Sequence, residues 1–167
     1  MAKKNITISL DEKSLKHLQQ ELAKYEAGMT EDIERFCEIV SRYGVKIAQN
    51  EIRSMGAFDT GELLASVNFK KGDLLVDGCT YYIYTDCEYA KFVEFGTGIV
   101  GQEYQHPNAS EANWVYDKHG HGENGWWYKG KDGQLHRTRG MPSRPFMHNT
   151  AVQLNSLLSG IAKEVFG

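Results

Sequence analysis

Nothing in this chain of 167 residues is apolar for long enough to cross a bilayer as a helix, so no membrane anchor is expected. Cysteine is scarce. Cys37, Cys79 and Cys87 are odd in number, widely spaced and form no C-x-x-C pair, which argues against a disulfide framework or a zinc knuckle and fits a reducing cytoplasm. A dominant charge is also missing: 19 Lys and Arg against 22 Asp and Glu leave a net charge of -3, with no general pull toward nucleic acid or an anionic membrane. There is no internal repeat. The opening MAKKNITISLDEKS has basic residues but no apolar stretch behind them, and does not read as a signal peptide.

What is present is ordinary for a globular protein, 41% hydrophobic and 25% charged residues. Residues 1–167 are expected to form one domain, burying on folding roughly 70% of the surface that the unfolded chain exposes. An N-terminal helix extension is expected within residues 1–28. Ser9 and Glu12 have capping-box spacing, Leu15, Leu18, Leu22 and Tyr25 share one helix face, and Gly28 ends the element. Thr30 then caps a second helix, with Glu31 and Asp32 in its first turn. Ile33, Phe36, Cys37, Val40, Ile47 and Ala48 form its apolar stripe, which runs to about Ser54. Gly44 on that stripe marks a close contact or a bend.

Over the rest of residues 30–96 the pattern changes. LLASVNFKKGDLLVDGCTYYIYTD is rich in β-branched and aromatic residues and is punctuated by Lys71-Gly72-Asp73 and Asp77-Gly78, the signature of a small antiparallel meander. EYAKFVEF returns to helical spacing, with Tyr89, Phe92 and Val93 on one side. Residues 97–141 read as a long loop or hairpin, since Gly96–Gly140 holds 9 of the 17 glycines, all 3 tryptophans and 4 of the 6 histidines. Long loops in compact domains tend to be functional. Residues 143–166 form a C-terminal helix with Pro145 in its first turn and a stripe of Met147, Ala151, Leu154, Leu158, Ile161 and Val165.

Several motifs invite chemistry, and each has a plainer reading. Asp59-Thr60-Gly61 carries the letters of the aspartic-protease signature, which in a one-copy chain requires a homodimer. No apolar strand precedes it, so a cap and turn before GELLAS is favoured. His106, His119, His121 and His136 lack metal-ligand spacing, and His119-Gly120-His121 in an extended segment points its rings apart; surface histidines are the simpler account. Gly96 and Gly98 make no phosphate loop, because no strand leads in, no Gly-Lys-Ser/Thr follows and no helix starts after them; they read as a helix cap. The cysteines sit in apolar contexts and read as core. In WWYKGKDGQLHRTRG the run Lys129, Lys131, Arg137 and Arg139 would suit a nucleic-acid contact, yet residues 101–140 balance 5 basic against 5 acidic residues. Trp126, Trp127 and Tyr128 are better taken as protein-interface aromatics.

Three pieces occur in one order: DTGELLAS at 59–66, YAKFVEFGT at 89–97 and RPFM at 144–147. Together they resemble the tail-completion, or head–tail joining, proteins of long-tailed bacteriophages and prophages. The GWWYKGKDGQLHRTRG stretch looks like the loop of such proteins in prophages of Gram-positive hosts. The resemblance spans about residues 30–165; the first helix, about 11–27, lies outside it. It implies an α+β fold, a small antiparallel β-sheet flanked by long N- and C-terminal helices, and a structural virion protein acting at the neck. It carries over no catalytic residue, cofactor or metal. The partners implied are copies of the chain in a ring, with heterologous contacts, and other neck or tail proteins. The protein would occupy the host cytoplasm during assembly and the virion afterwards. On this reading Trp126, Trp127 and Tyr128 anchor an interface, Glu94, Phe95, Gly96 and Thr97 shape the loop's base, and the glycine pair is a hinge that launches the loop toward a neighbour. DNA contact through the basic run and a protease built on Asp59 are the alternatives.

Overall fold

Helix α1 spans Glu12–Ser54 without a break. The computed structural model describes residues 12–57, 60–72 and 79–167. Ser9, Asp59 and the turn residues Asp73, Asp77 and Gly78 lie outside them. The expected stop at Gly28 does not occur. A glycine in a helix interior costs about 1 kcal/mol relative to alanine, which weakens the helix without interrupting its hydrogen bonds. Thr30 does not cap a second helix either: its Oγ1 donates to the Glu26 carbonyl at 3.0 Å, inside the same helix. Ion pairs Lys16–Glu12 and Arg42–Glu38, each one turn apart, support the ladder. The end at Ser54 matches the sequence reading.

Helix α5 (Phe146–Phe166) packs antiparallel on the second half of α1. Phe36 and Phe166 rings meet at 5.6 Å at one end, and at the other the Glu51 carboxylate accepts from Asn149 Nδ2 at 2.9 Å and Gln153 Nε2 at 2.7 Å. Gly44 marks a close contact: a Cβ there would collide with the Ile83 and Leu154 side chains. The α5 stripe differs from expectation at one position. Ala151 is exposed, and Thr150 is buried in its place because its hydroxyl donates to the Phe146 carbonyl at 2.6 Å. Toward its N-terminus α1 leaves Leu15, Leu22 and Met29 exposed.

After α1 come α2 (Glu62–Ser66), β1 (Asn68–Lys71) and β2 (Tyr81–Tyr84). The LLAS stretch, expected to open the meander, belongs to α2. Strands β1 and β2 pair antiparallel, with Asn68 opposite Tyr84 and Lys71 opposite Tyr81, and lie against α1. Helix α3 (Ala90–Phe95) follows, and the core forms where α1, α2, α3 and α5 converge: Ala48, Ile52, Leu63, Val67, Cys87, Ala90, Val93 and Phe146. Of the cysteines only Cys87 is core; Cys37 and Cys79 are half-buried.

Residues 97–141 are more ordered than a loop. They hold α4 (Gly98–Glu103), a 3₁₀ turn at Gly122–Asn124, the antiparallel hairpin β3 (Trp126–Lys129) with β4 (Leu135–Thr138), and the short β5 (Gly140–Met141). A helix does therefore start after the glycine pair, contrary to the sequence reading. The fold is α+β as expected, and the described residues form two small two-stranded antiparallel sheets rather than one.

Candidate functional site

The glycine pair is a clamp, not a hinge. Gly96 ends α3 with φ 78°, and its N–H donates to the Phe92 carbonyl at 2.9 Å. Two residues later the backbone runs against β5: Thr97 pairs with Met141 and Gly98 with Gly140 in antiparallel bridges. A Cβ on Gly140 (φ 105°) would strike the Thr97 carbonyl, and one on Gly98 (φ 62°) the Arg139 carbonyl. Glycine is required here both for positive φ and for the approach of two backbones. The Thr97 hydroxyl accepts the Met141 N–H at 3.3 Å, and the Gly98 N–H donates to the Tyr116 carbonyl at 2.7 Å. The long insertion is thus pinned at its root.

Glu94 is buried in this root, only 7% exposed. Its Oε2 accepts the Met147 N–H at 2.9 Å and its Oε1 the His148 N–H at 3.0 Å. These are orphan donors of the first turn of α5, so a carboxylate on α3 caps a helix far along the chain, at the end where the dipole favours negative charge. Oε1 also accepts from Nε2 of His106, at 3.0 Å. His106 Nδ1 accepts the Asn108 N–H at 3.0 Å, which places the ring proton on Nε2, facing Glu94. His106 is 5% exposed, so the expectation of surface histidines fails for it. Apolar rings shield the pair: Phe95 lies 4.3 Å from His106 and stacks on Trp114 at 4.9 Å, and the Trp114 indole donates to the Gly96 carbonyl at 3.1 Å.

Trp126, Trp127 and Tyr128 do not form one patch, because consecutive strand residues face opposite sides. Trp126 turns inward, its ring 4.9 Å from His121 and a Cβ on Gly98 within reach of it. Tyr128 lies beside His136 at 5.6 Å. Trp127 is 64% exposed and shares its face with Lys129, Arg137 and Leu135, the last 66% exposed. Leu135 was not singled out in the sequence; the hairpin register alone identifies it. Trp114 and Tyr116 were missed as well, although they stand in a Trp-Val-Tyr run that a core-seeking reading would have marked. With Lys91, Phe92, His121 and Trp126 they line a cleft of about 730 Å³ between α3 and the insertion.

Much of the basic run is already engaged. Arg137 Nε and Nη2 both donate to the Asn124 carbonyl, at 3.0 and 2.9 Å, and Arg139 pairs with Glu123. Of the other histidines of the insertion, His119 and His121 flank the bend at Gly120 and His136 lies on β4. Asp117 accepts the Gly122 N–H at 2.7 Å and the His121 N–H at 3.0 Å, with His121 Nδ1 at 3.1 Å, and these bonds lower its carboxyl to about 2. The Asp132 carboxyl is lowered by hydrogen bonding to His136 and then to the Gln134 N–H. The chain bends at Gly120 (φ 67°), so the His119 and His121 rings meet at 5.7 Å instead of pointing apart. Among the described residues no three or more His, Cys, Asp or Glu side chains form a metal-binding group, and no helix is long and apolar enough to cross a membrane.

In the DTG segment, the Thr60 hydroxyl accepts the Glu62 N–H at 3.3 Å and Gly61 turns the chain into α2 with φ 85°. Asp59 lies outside the described residues. No protein-family model, curated protein or solved structure matches this chain.

Proposed function

We propose that this chain is a structural virion protein of a long-tailed bacteriophage or prophage, acting in head–tail joining or tail completion at the neck. One observation carries the proposal: the three segments on which the resemblance rests lock onto one another. The Leu63 N–H of the DTGELLAS segment donates to the Tyr89 hydroxyl of YAKFVEFGT at 3.3 Å. Within YAKFVEFGT, the Val93 carbonyl accepts the Arg144 N–H at 2.8 Å and Glu94 caps the helix that RPFM opens. The recurring residues therefore have structural work in common, as a scaffold does, and the pinned insertion presents its hairpin outward on it.

On this proposal the chain is not an enzyme, and its partners are copies of itself in a ring together with other neck or tail proteins. Trp127 and Leu135 offer the apolar centre that a protein contact needs, with Lys129 and Arg137 at its rim. DNA contact is the weaker reading, since Arg137 and Arg139 are engaged within the chain. Electron microscopy of lysates from a phage or prophage lacking this gene tests the proposal. DNA-filled heads beside separate, finished tails are expected, whereas infectious, fully joined particles overturn it.

A further inference from the structure

One face of α1 follows the β1–β2 hairpin. Glu34 Oε1 meets Lys71 Nζ at 2.7 Å, the Cys79 thiol donates to the Ile33 carbonyl at 3.7 Å, and Gly44 receives the Ile83 side chain. In an α-helix the Ile33 carbonyl belongs to the turn that accepts from the Cys37 N–H, and the Cα–Cβ bond of Cys37 tilts back toward that turn. A thiol seated on the Ile33 carbonyl is therefore a neighbour of the Cys37 thiol. Both cysteines line one surface cleft of about 350 Å³, with Phe36, Val40, Ser41 and Tyr81. Both residues are half-buried, within reach of a small reagent, whereas Cys87 is enclosed in the core.

We propose that Cys37 and Cys79 are an oxidisable dithiol that closes to an intramolecular disulfide and fastens α1 to the β1–β2 hairpin. The oxidant required is a low-molecular-weight disulfide. Cys79 gives up its proton to solvent, and its thiolate attacks one sulfur of that disulfide. The reagent's S–S bond breaks, and the departing thiolate takes a proton. Cys37 then deprotonates and attacks the Cys79 sulfur, releasing the second small thiol. Two protein thiols are oxidised and one small disulfide is reduced to two thiols. The order follows from the surroundings: burial, then the hydrogen bond to Cys79, then the charges of Cys79 and Glu34 push the Cys37 thiol up to about 12, so Cys79 is the first nucleophile. Converting Cys79 to a mixed disulfide removes its own contribution to that elevation, leaving burial and Glu34, and holds the Cys79 sulfur beside Cys37 for the second step. The link would lie beside the Phe36–Phe166 contact, where α1 leaves its pairing with α5, and would hold the exposed N-terminal part of α1 in one direction.

The test uses the full chain, folded, with oxidised glutathione at mildly alkaline pH, followed by alkylation in denaturant and intact-mass and peptide analysis. The expected product is a monomer lighter by two hydrogen masses, with Cys87 alone alkylated and a cross-linked Cys37–Cys79 peptide. Amide exchange around residues 33–41 should slow by about tenfold on closure. Cys87→Ser should leave the cross-link intact, and Cys37→Ser should stop the reaction at glutathione-capped Cys79. Three alkylatable thiols after exhaustive treatment, a stable glutathione adduct on the unmutated chain, or cross-links only between chains would each overturn the proposal. Because the unmutated chain decides, a poorly folding variant does not obscure the result.

Discussion

The Glu94 carboxylate on α3 accepts the backbone N–H of His148 at 3.0 Å, across 54 residues of chain. With Met147 and His106 it receives three donors, the His106 bond buried and the two backbone bonds part-buried. Glu94→Ala leaves all three unsatisfied and should lower stability by about 3 kcal/mol. Glu94→Gln keeps an acceptor but loses the charge and should lose about half as much. Urea denaturation measures both; midpoints equal to the wild type would remove the capping role.

Two glycines should respond in opposite directions. Gly140→Ala forces a Cβ toward the Thr97 carbonyl at φ 105° and should destabilise by about 2 kcal/mol, releasing the root of the insertion. Gly28→Ala meets nothing within 4 Å in a helix interior and should strengthen α1 by about 1 kcal/mol. Circular dichroism and residue-resolved amide exchange distinguish them. A Gly28→Ala chain with weaker protection around residue 28 would contradict the continuous helix.

The tryptophans separate structure from assembly. Trp114→Ala removes the stacking on Phe95 and the bond to the Gly96 carbonyl, and should cost about 3 kcal/mol. Trp127→Ala, at an exposed position, should change stability by no more than about 0.5 kcal/mol and yet impair head–tail joining. A Trp127→Ala phage that plates normally would remove the hairpin from the proposed interface.

Acid should loosen the turn after Asp117. Its carboxyl lies at about 2 in the folded chain against an ordinary 3.8, so the folded state favours the ionised form. That stabilising contribution is complete above about pH 4 and disappears as the pH falls through about 2. The Asp117 carboxyl carbon shift in NMR should titrate below the ordinary range. A midpoint at the ordinary value would mean that the bonds from Gly122 and His121 do not persist in solution.

Local signals were legible without coordinates. The apolar periodicity of 33–52 and 146–165 marked the helical segments, the end of the first at Ser54 and a proline at the start of the last, but not the start of α1. β-Branched and aromatic residues around Lys71-Gly72-Asp73 marked the first antiparallel pair, while the Gly- and Trp-rich stretch 97–141 could be read only as a long loop or hairpin. Each of these depends on residues within a turn or a strand of one another. Gly28 was misread as a stop because glycine changes a helix's stability by only about 1 kcal/mol, too little to decide a boundary that the neighbouring turns also vote on. What only the tertiary structure decided is what joins distant segments: Glu94 as the cap of α5, the crossing of Gly98 and Gly140, the burial of His106, and Trp127 facing out while Trp126 faces in. Close approach of two backbones and satisfaction of buried donors are properties of pairs far apart in the chain, and no periodicity within either partner encodes them.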